Sequence, residues 1–371
     1  NLLGHAGRKI AECTALVLGT NVEEVCQQAD VPLLTASSIK AGLDIDWSAP
    51  EAKEDALNRL CRQLDRLMAW VSKHAHAAAC TEAPLARYIE ALKQVREQDL
   101  EPRAEGGVQI RQGVAADRRI SIEDPDMRHG RKSKSKRFNG YKQHIGTDLD
   151  TELIVACAVT PANRPEEEAT AELQADMARQ ELFPDVLLID RAYLNSDLTG
   201  DVLASGGDVV CRPWRGASVK AGFFGKRDFK VNVRDGTITC PAGEVESFEP
   251  GAVVHFDPEA CGPCKLRSKC TQAATGRGRT VTMGDDEALQ KRLRSRLHAR
   301  AGREQLRGRV GGEHRLAHIA NRQGPKARLL GTRNNLFALR SLAVVQNLEV
   351  IARHLRDQAP TQCSNLFGAL E

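Results

Sequence analysis

One short run constrains the fold of this chain more than any other. Asp185-Val-Leu-Leu-Ile-Asp190 is followed at once by Arg191, Ala192 and Tyr193. A short, unbroken apolar run with no polar alternation reads as a strand buried on both faces, as in layered α/β sheets. The run then stops on a carboxylate. Ligands and catalytic groups of layered sheets gather at the carboxyl ends of strands, so Asp190 is a candidate functional acid. The plainer reading is a helix cap or a loop acid.

The flanks extend the pattern. "YKQHIGTD" and "ELIVACAVTP" are two strand candidates around a turn at 149–151, a β-hairpin. Pro165 and three glutamates open a helix that runs to about Glu181. "NSDLTGDVLASG" is a helix opened by Asn195 or Ser196 and closed by Gly206, and "DVVCRPW" is a short strand. Hairpin, helix, strand, helix, strand is the order of a mixed α/β layer fold. Upstream, "GRKIAECTALVLG" and "PEAKEDALNRLCRQLDRLMAWVSKHA" carry apolar residues at helical spacing, so residues 1 to about 100 read as helical, with Trp47 and Trp70 as packing residues. Residues 101–118 read as a loop, "RISIED" alternates like a short strand, and "PDMRHGRKSKSKRFNG" is a basic, turn-rich segment expected to be mobile without a partner. Residues 215–285 are short, Gly-rich and β-like, and from Asp285 onward the chain is helical again.

Composition narrows the partners. The 371 residues leave room for two domains or for one with large insertions. No run approaches the ~18 apolar residues of a membrane span, and no signal peptide is visible, so no membrane partner is expected. Net charge is only +4, but it is unevenly placed. Residues 127–147 hold seven basic side chains and no acid; residues 291–333 are basic throughout, opposed only by Glu304 and Glu313. One such cluster is ordinarily solvated surface; two favour a polyanion. Arg131, Lys132, Lys134, Lys136, Arg137 and Lys142 in the first, with Arg322 and Lys326 in the second, are the candidate phosphate contacts. Trp214 and Phe138 could stack on frayed bases, with core packing as the plainer reading.

The eleven cysteines divide in two. Cys13, Cys26, Cys61, Cys80, Cys157, Cys211 and Cys363 are scattered, which suits buried thiols in a reducing cytoplasm rather than a disulfide framework. Cys240, Cys261, Cys264 and Cys270 cluster with the spacing C-x20-C-x2-C-x5-C. Four thiolates suit tetrahedral Zn²⁺, so a structural zinc ribbon is expected there, the alternative being free thiols.

A second acid stands out in the late basic stretch. Glu313 follows Gly311 and Gly312 inside a helical pattern, where each glycine costs about 1 kcal/mol against alanine. Glycines there suggest close approach by another group, such as a DNA backbone. The bland alternative is an intrahelical ion pair with Arg309 or Arg315, contributing about 0.3–0.5 kcal/mol. Two carboxylates at a phosphodiester suit Mg²⁺ or Mn²⁺, because hard cations take carboxylate oxygens and paired ions assist in-line displacement.

The ordered motifs resemble a family. "RRISIEDPDMRHGRKSKSKRFNGYKQHIGTDLDTELIVACAVTPANRPEEE", "LLIDRAYL" and "GRVGGEHRLAHI…GTRNNLFALRSLAVVQNL" are similar to the DDE transposases of bacterial insertion sequences, over roughly residues 110–350. The resemblance implies an RNase H-like mixed sheet flanked by helices, carrying an N-terminal helical insertion and a Cys-rich β insertion. It implies Mg-dependent cleavage and strand transfer at transposon ends, double-stranded DNA as partner, a homodimer that brings two ends together, and a bacterial cytoplasmic, nucleoid-associated setting. Asp190 matches the second acid and Glu313 the third. The late signature, Tyr-x2-Arg-x3-Glu-x6-Lys, here reads Leu306, Arg309, Glu313 and Ala320, with Arg322 or Lys326 as stand-ins for the final charge.

The family's first acid has no clear match. It ends the first core strand, which precedes the helical insertion, and this chain begins with Asn1 inside a helical pattern. The strand and its Asp are therefore expected upstream; Asp124, which ends "RISIED", and Asp148 are substitutes by position. Without that acid the chain would be a truncated or inactive copy, and the rivals are a DNA-binding remnant and a nuclease of the same fold. The expected segments are a helical part (1–110), the first part of the core (111–214), the Cys-rich insertion (215–285), a helical part carrying Glu313 (286–355) and a frayed tail (356–371).

Overall fold

The amphipathic N-terminal patterns fold as helices: α1 (Leu2–Leu18), α2 (Val22–Gln28), α3 (Ile39–Leu43), α4 (Pro50–His74), α5 (His76–Thr81) and α6 (Ala83–Asp99). Strands β1 (Leu100–Pro102) and β2 (Val108–Ile110) then pair antiparallel. Next come β3 (Arg128–Arg131), β4 (Arg137–Thr147), β5 (Ile154–Pro161), α7 (Thr170–Ala178), β6 (Val186–Leu188), α8 (Asp197–Ala204) and β7 (Asp208–Val210). Short pieces follow: β8 (Lys230–Asn232), β9 (Thr237–Thr239), β10 (Val245–Ser247), β11 (Val253–His255), α9 (Pro258–Cys261), α10 (Arg267–Cys270) and β12 (Thr280–Thr282). Helices α11 (Glu287–His298), α12 (Arg300–Arg307), α13 (Arg309–Gln323) and α14 (Thr332–Gln358) close the described chain. This computed structural model describes residues 1–81, 83–216, 220–274, 276–324 and 326–358. Of the tail from 356, residues 356–358 finish α14 and 359–371 lie outside the described residues.

Two compact units form, each from separate stretches. The first takes residues 1–146, 153–173 and the described residues from 316 on; the second takes 147–152 and 174–315. In the first unit, α1, α4 and α6 turn their apolar stripes inward, burying Ile10, Leu64, Leu67, Leu85 and Leu92. Sheet order there is β3-β4-β5. Helix α14 packs on β5 through Leu339 and Ala343 against Ile154 and Cys157. Asn347 fixes that contact, donating to the Ile154 carbonyl and accepting from its amide, both at 2.8 Å.

In the second unit β6 and β7 pair in parallel, Leu187 opposite Val209, over a core of Leu198, Val202, Cys211 and Leu293. Ser196 caps α8 by accepting from the Thr199 amide, and Gly206 ends that stretch in the left-handed region at φ 86°. The sheets β10-β9-β8 and β11-β12 make a small core from Phe229, Ile238, Val254, Phe256, Val281 and Met283.

Several sequence expectations are corrected: residues 101–118, read as a loop, hold most of the β1–β2 pair, and the basic segment expected to be mobile carries β3 paired with the start of β4. Strand β6 is not buried on both faces: Val186 is 50% exposed and Leu187 and Leu188 are half-buried. Among the described residues β6 pairs with β7 alone. "RISIED" is not a strand. Arg119 coils that segment around itself, its guanidinium donating to the carbonyls of Ser121 and Ile122 while its amide donates to Gln98. No described helix is long and apolar enough to cross a membrane.

Candidate functional site

Backbone geometry sets the direction of Asp190. Pairing with β7 continues one residue past β6, with the Ile189 amide donating to the Val210 carbonyl at 3.1 Å. Asp190 is extended at φ −79° and ψ 160° and caps a single turn at 191–193, accepting from the Arg191 amide at 2.5 Å. Arg191 is tied down by its own bond to the Pro213 carbonyl at 2.8 Å. The plain reading of Asp190 as a cap is therefore true of one oxygen. The other faces α13.

Gly308 brings α13 close. It separates α12 from α13, and a Cβ there would stand 3.1 Å from the Leu188 side chain and 3.1 Å from the Gln305 carbonyl. A side chain there would need Leu188 and the Gln305 carbonyl to give way by a few tenths of an ångström, so glycine suits a helix start lying that near β6. The next residue, Arg309, then reaches two acids: one guanidinium nitrogen lies 2.9 Å from Asp190 and another 2.8 Å from Glu313. The expected intrahelical pair of Arg309 and Glu313 is present, and the same fork also holds the strand-end acid. Arg315 instead faces Glu152 at 3.5 Å. Gly311 and Gly312 do not serve close packing among the described residues. Nothing lies within 4 Å of a Cβ at Gly311, and one at Gly312 would meet only the Thr147 hydroxyl at 3.9 Å.

The carboxylates of Asp190 and Glu313 stay open, with side chains 58% and 59% exposed. They offer hard carboxylate oxygens of the kind a divalent ion of the Mg²⁺ class takes, and both lie against the same guanidinium. Arg309 now supplies the positive charge between them. Among the described residues, no three His, Cys, Asp or Glu side chains stand ready-made around one metal position.

The positional substitutes for a further acid are built differently. Asp124 is fully buried. One of its oxygens accepts from the Asp126 and Met127 amides at 3.0 and 3.2 Å. The other accepts from the Tyr141 hydroxyl at 2.5 Å and the Gly331 amide at 3.3 Å. A carboxylate so enclosed offers nothing to a cation or phosphate arriving from solvent, against the catalytic expectation for it. Burial, then the Asp124 bond, push the Tyr141 phenol well above its ordinary value. Asp126 beside it accepts from both the amide and the hydroxyl of Thr332, each at 2.8 Å, at the start of α14. The Asp-Pro-Asp, Tyr141 and Gly331-Thr332 motifs thus form one clamp on a helix N-terminus. Asp148 caps the turn after β4 by accepting from the Thr151 amide at 3.1 Å and from its hydroxyl. The Thr151 hydroxyl bond, more than any other contact, holds its carboxyl below the usual range.

The basic residues also sort themselves. "RKSKSKR" is the turn of the β3–β4 hairpin, closed by the Lys132 amide donating to the Lys136 carbonyl at 2.8 Å. Arg131, Lys132, Lys134, Lys136 and Arg137 are all exposed there, and none has an acidic partner among the described residues. Lys142 is engaged instead, donating to the Arg164 carbonyl at 2.8 Å, with Glu166 at 3.9 Å. Arg322 forks onto Glu349 at 2.6 and 2.7 Å, and Lys326 is exposed. The Trp214 indole donates to Asp286 at 3.2 Å.

Cys13, Cys26, Cys61, Cys157 and Cys211 are free thiols; the Cys80 side chain and Cys363 lie outside the described residues. Cys240, Cys261, Cys264 and Cys270 are also free, and all four line one cavity of about 20 Å³. Burial, with smaller contributions from the other three thiols, pushes the Cys270 thiol up.

Sequence reading missed Asp126, Tyr141 and Gly308 as positioning residues. Proline between two acids and a glycine at a helix junction were the available signals. A family model described as a transposase DDE domain matches residues 110–348. No curated protein and no solved structure matches the chain.

Proposed function

The chain belongs to the transposase DDE domain family, and on that premise we propose that it cleaves DNA at the ends of an insertion sequence and transfers the freed strand, with Asp190 and Glu313 as its metal-anchoring acids. Family membership implies a transposase or endonuclease type of activity on DNA. The observation that carries the finer reading is the fork of Arg309. A strand-end acid and a late-helix acid, distant in sequence, meet on one guanidinium while both remain open to solvent.

Mg²⁺ or Mn²⁺ held by these two acids would polarise the scissile phosphate and lower the pKa of an attacking hydroxyl. Arg309 is placed to take a phosphate oxygen, since a planar fork binds phosphate as well as carboxylate. Unpaired lysines and arginines of the β3–β4 turn would hold the duplex backbone in register. Asp124 has a positioning role in this reading: with Tyr141 and Asp126 it seats α14 against its own unit. We read the core as RNase H-like on the strength of the β4–β5 hairpin, the parallel β6–β7 pair and the acid at the end of β6. Two copies of the chain, one for each transposon end, belong to the same reading.

The test is nicking and joining of a duplex carrying the insertion ends, with Mg²⁺, by the wild type, Asp190→Asn and Glu313→Gln. Each variant should lose more than about a hundredfold in rate, since even outer-sphere partners of a metal site account for 10–100-fold. Undiminished nicking in both variants would refute the assignment. A wild type that binds the ends and never nicks them would be a DNA-binding remnant.

A further inference from the structure

The small β unit from 220 to 285 has a problem that its sequence does not solve by burial. Its strands β8 to β12 are three residues each. Its core is six buried residues. A layer so thin ordinarily needs a covalent or metal staple. No disulfide supplies one, because all four of its cysteines are free.

Those cysteines come from three separate places, yet they face one cavity. Cys240 follows β9, Cys261 ends α9, Cys264 sits in the turn after it, and Cys270 ends α10. The cavity of about 20 Å³ exceeds the roughly 10–15 Å³ that one water-sized atom needs. The loop after β9 has the form of a metal knuckle: the Ala242 amide donates to the Cys240 sulfur at 3.3 Å, the Gly243 amide donates to the Cys240 carbonyl at 3.0 Å, and Gly243 sits at φ 104°. An amide aimed at a sulfur stabilises a thiolate more than a thiol. Guanidiniums fix two of the other cysteine backbones. Arg267 donates to the Cys261 carbonyl at 3.4 Å, and Arg279 donates to the Cys270 carbonyl at 2.9 Å. Both also line the cavity, where they would offset the net negative charge of four thiolates on one divalent ion.

We propose that Cys240, Cys261, Cys264 and Cys270 bind one Zn²⁺ as a closed four-thiolate site that holds this β unit together. Soft sulfur ligands select Zn²⁺ over the hard ions suited to Asp190 and Glu313. No three of the four sulfurs already stand around one metal position, so binding would draw them inward across the cavity and release their protons. The site is structural and stands independently of the DNA chemistry.

The full chain, purified under reducing conditions with Zn²⁺, should carry one zinc per chain by elemental analysis. Titrating its thiols with a mercurial should release that zinc. Co²⁺ exchanged into the wild type should give the intense ligand-field bands of tetrahedral thiolate coordination. Cys240→Ser and Cys264→Ser should each lose the metal and open residues 220–285 to proteolysis, while Cys13→Ser keeps both properties. Zinc-free wild type with all four thiols reduced would overturn the proposal. So would metal retained by the Cys240→Ser/Cys264→Ser double variant, or disulfides among these cysteines in the reduced preparation. The Co²⁺ spectrum of the wild type decides the matter even where a variant fails to fold.

Discussion

Removing the Arg309 side chain should separate its structural contribution from its electrostatic one. Its two ion pairs involve carboxylates that are 58% and 59% exposed. Pairs of this kind contribute about 0.2–1 kcal/mol each. Arg309→Ala should therefore lower the melting temperature by only about 2–4 °C for each kcal/mol of stability removed, or a few degrees in all. The same change leaves two acids that had shared one guanidinium without it. Unit charges about 4 Å apart repel by about 1 kcal/mol in water and about 4 kcal/mol at an effective dielectric of 20. Exposure puts this pair near the lower figure. A bound divalent cation relieves that repulsion and no longer has to displace the guanidinium. Relief of about 1 kcal/mol is roughly a fivefold change in affinity. Calorimetric titration with Mn²⁺ should thus show roughly fivefold tighter binding in Arg309→Ala than in the wild type, and adding Glu313→Gln should abolish the gain. Equal or weaker binding in Arg309→Ala would show that guanidinium and metal do not compete for the same oxygens, and the site assignment would fail with it.

Four further outcomes follow from the same geometry. Burial, and then the Lys142 charge, lower the His144 pKa to about 4, whereas an unfolded imidazole titrates near 6.5. The unfolded chain therefore binds that proton first, so stability is full above about pH 6.5 and is lost as pH falls through about 4. At pH 5 the loss is about 2 kcal/mol, and urea denaturation at pH 7 and pH 5 should show it in the wild type and not in His144→Gln; equal losses would exclude the buried imidazole as the cause. Tyr141→Phe leaves one Asp124 oxygen with the Gly331 amide alone and should cost about 1.5–3 kcal/mol, as for hydrogen bonds to charged groups; a cost near zero would mean that the clamp does not seat α14. Gly311→Ala meets nothing within 4 Å and should gain up to about 1 kcal/mol of helix stability, while Gly308→Ala crowds Leu188 and should slow DNA nicking several-fold; the opposite ranking in melting and nicking assays would refute the placement of α13. Replacing Lys132, Lys134 and Lys136 by alanine should flatten the salt dependence of duplex binding by about 0.9 for each phosphate no longer neutralised, and an unchanged slope would remove that turn from the interface.

Local pattern was readable in the sequence, and long-range closure was not. The helices of residues 2–99, the β4–β5 hairpin and the caps of α8 follow from spacing, turn residues and Ser196. "RISIED" has a strand's alternation but not a strand's fate, because Arg119 satisfies the carbonyls that a neighbouring strand would have taken. Period-2 patterning cannot reveal a side chain that competes for the ladder. The glycines before Glu313 were visible, yet the one that matters for packing within the chain is Gly308, identifiable only once Leu188 is seen beside it. Asp190 and Glu313 were each readable alone. Their meeting on Arg309 was readable only as far as the resemblance carried it, since no pairwise signal joins them in a single chain.

What separates the candidate acids is therefore less where they fall in the sequence than what has been done with their oxygens. Asp124 is fully buried and its two oxygens accept four hydrogen bonds. A carboxylate satisfied in that way stabilises the fold and has no lone pair left for a reaction. Asp190 commits one oxygen to its own turn and Glu313 leaves one without a partner among the described residues. Both also meet a side-chain cationic fork, and only Asp190 takes a single backbone amide as well. Exchange of one cation for another is inexpensive in that setting, because exposed ion pairs are weak, whereas pulling Asp124 out of its amides would forfeit several charge-assisted bonds together. Chemistry on a phosphodiester requires acids that can change partners during binding. By that criterion Asp190 and Glu313 qualify and Asp124 does not, although Asp124 also lies in the motif-rich stretch that resembles the family.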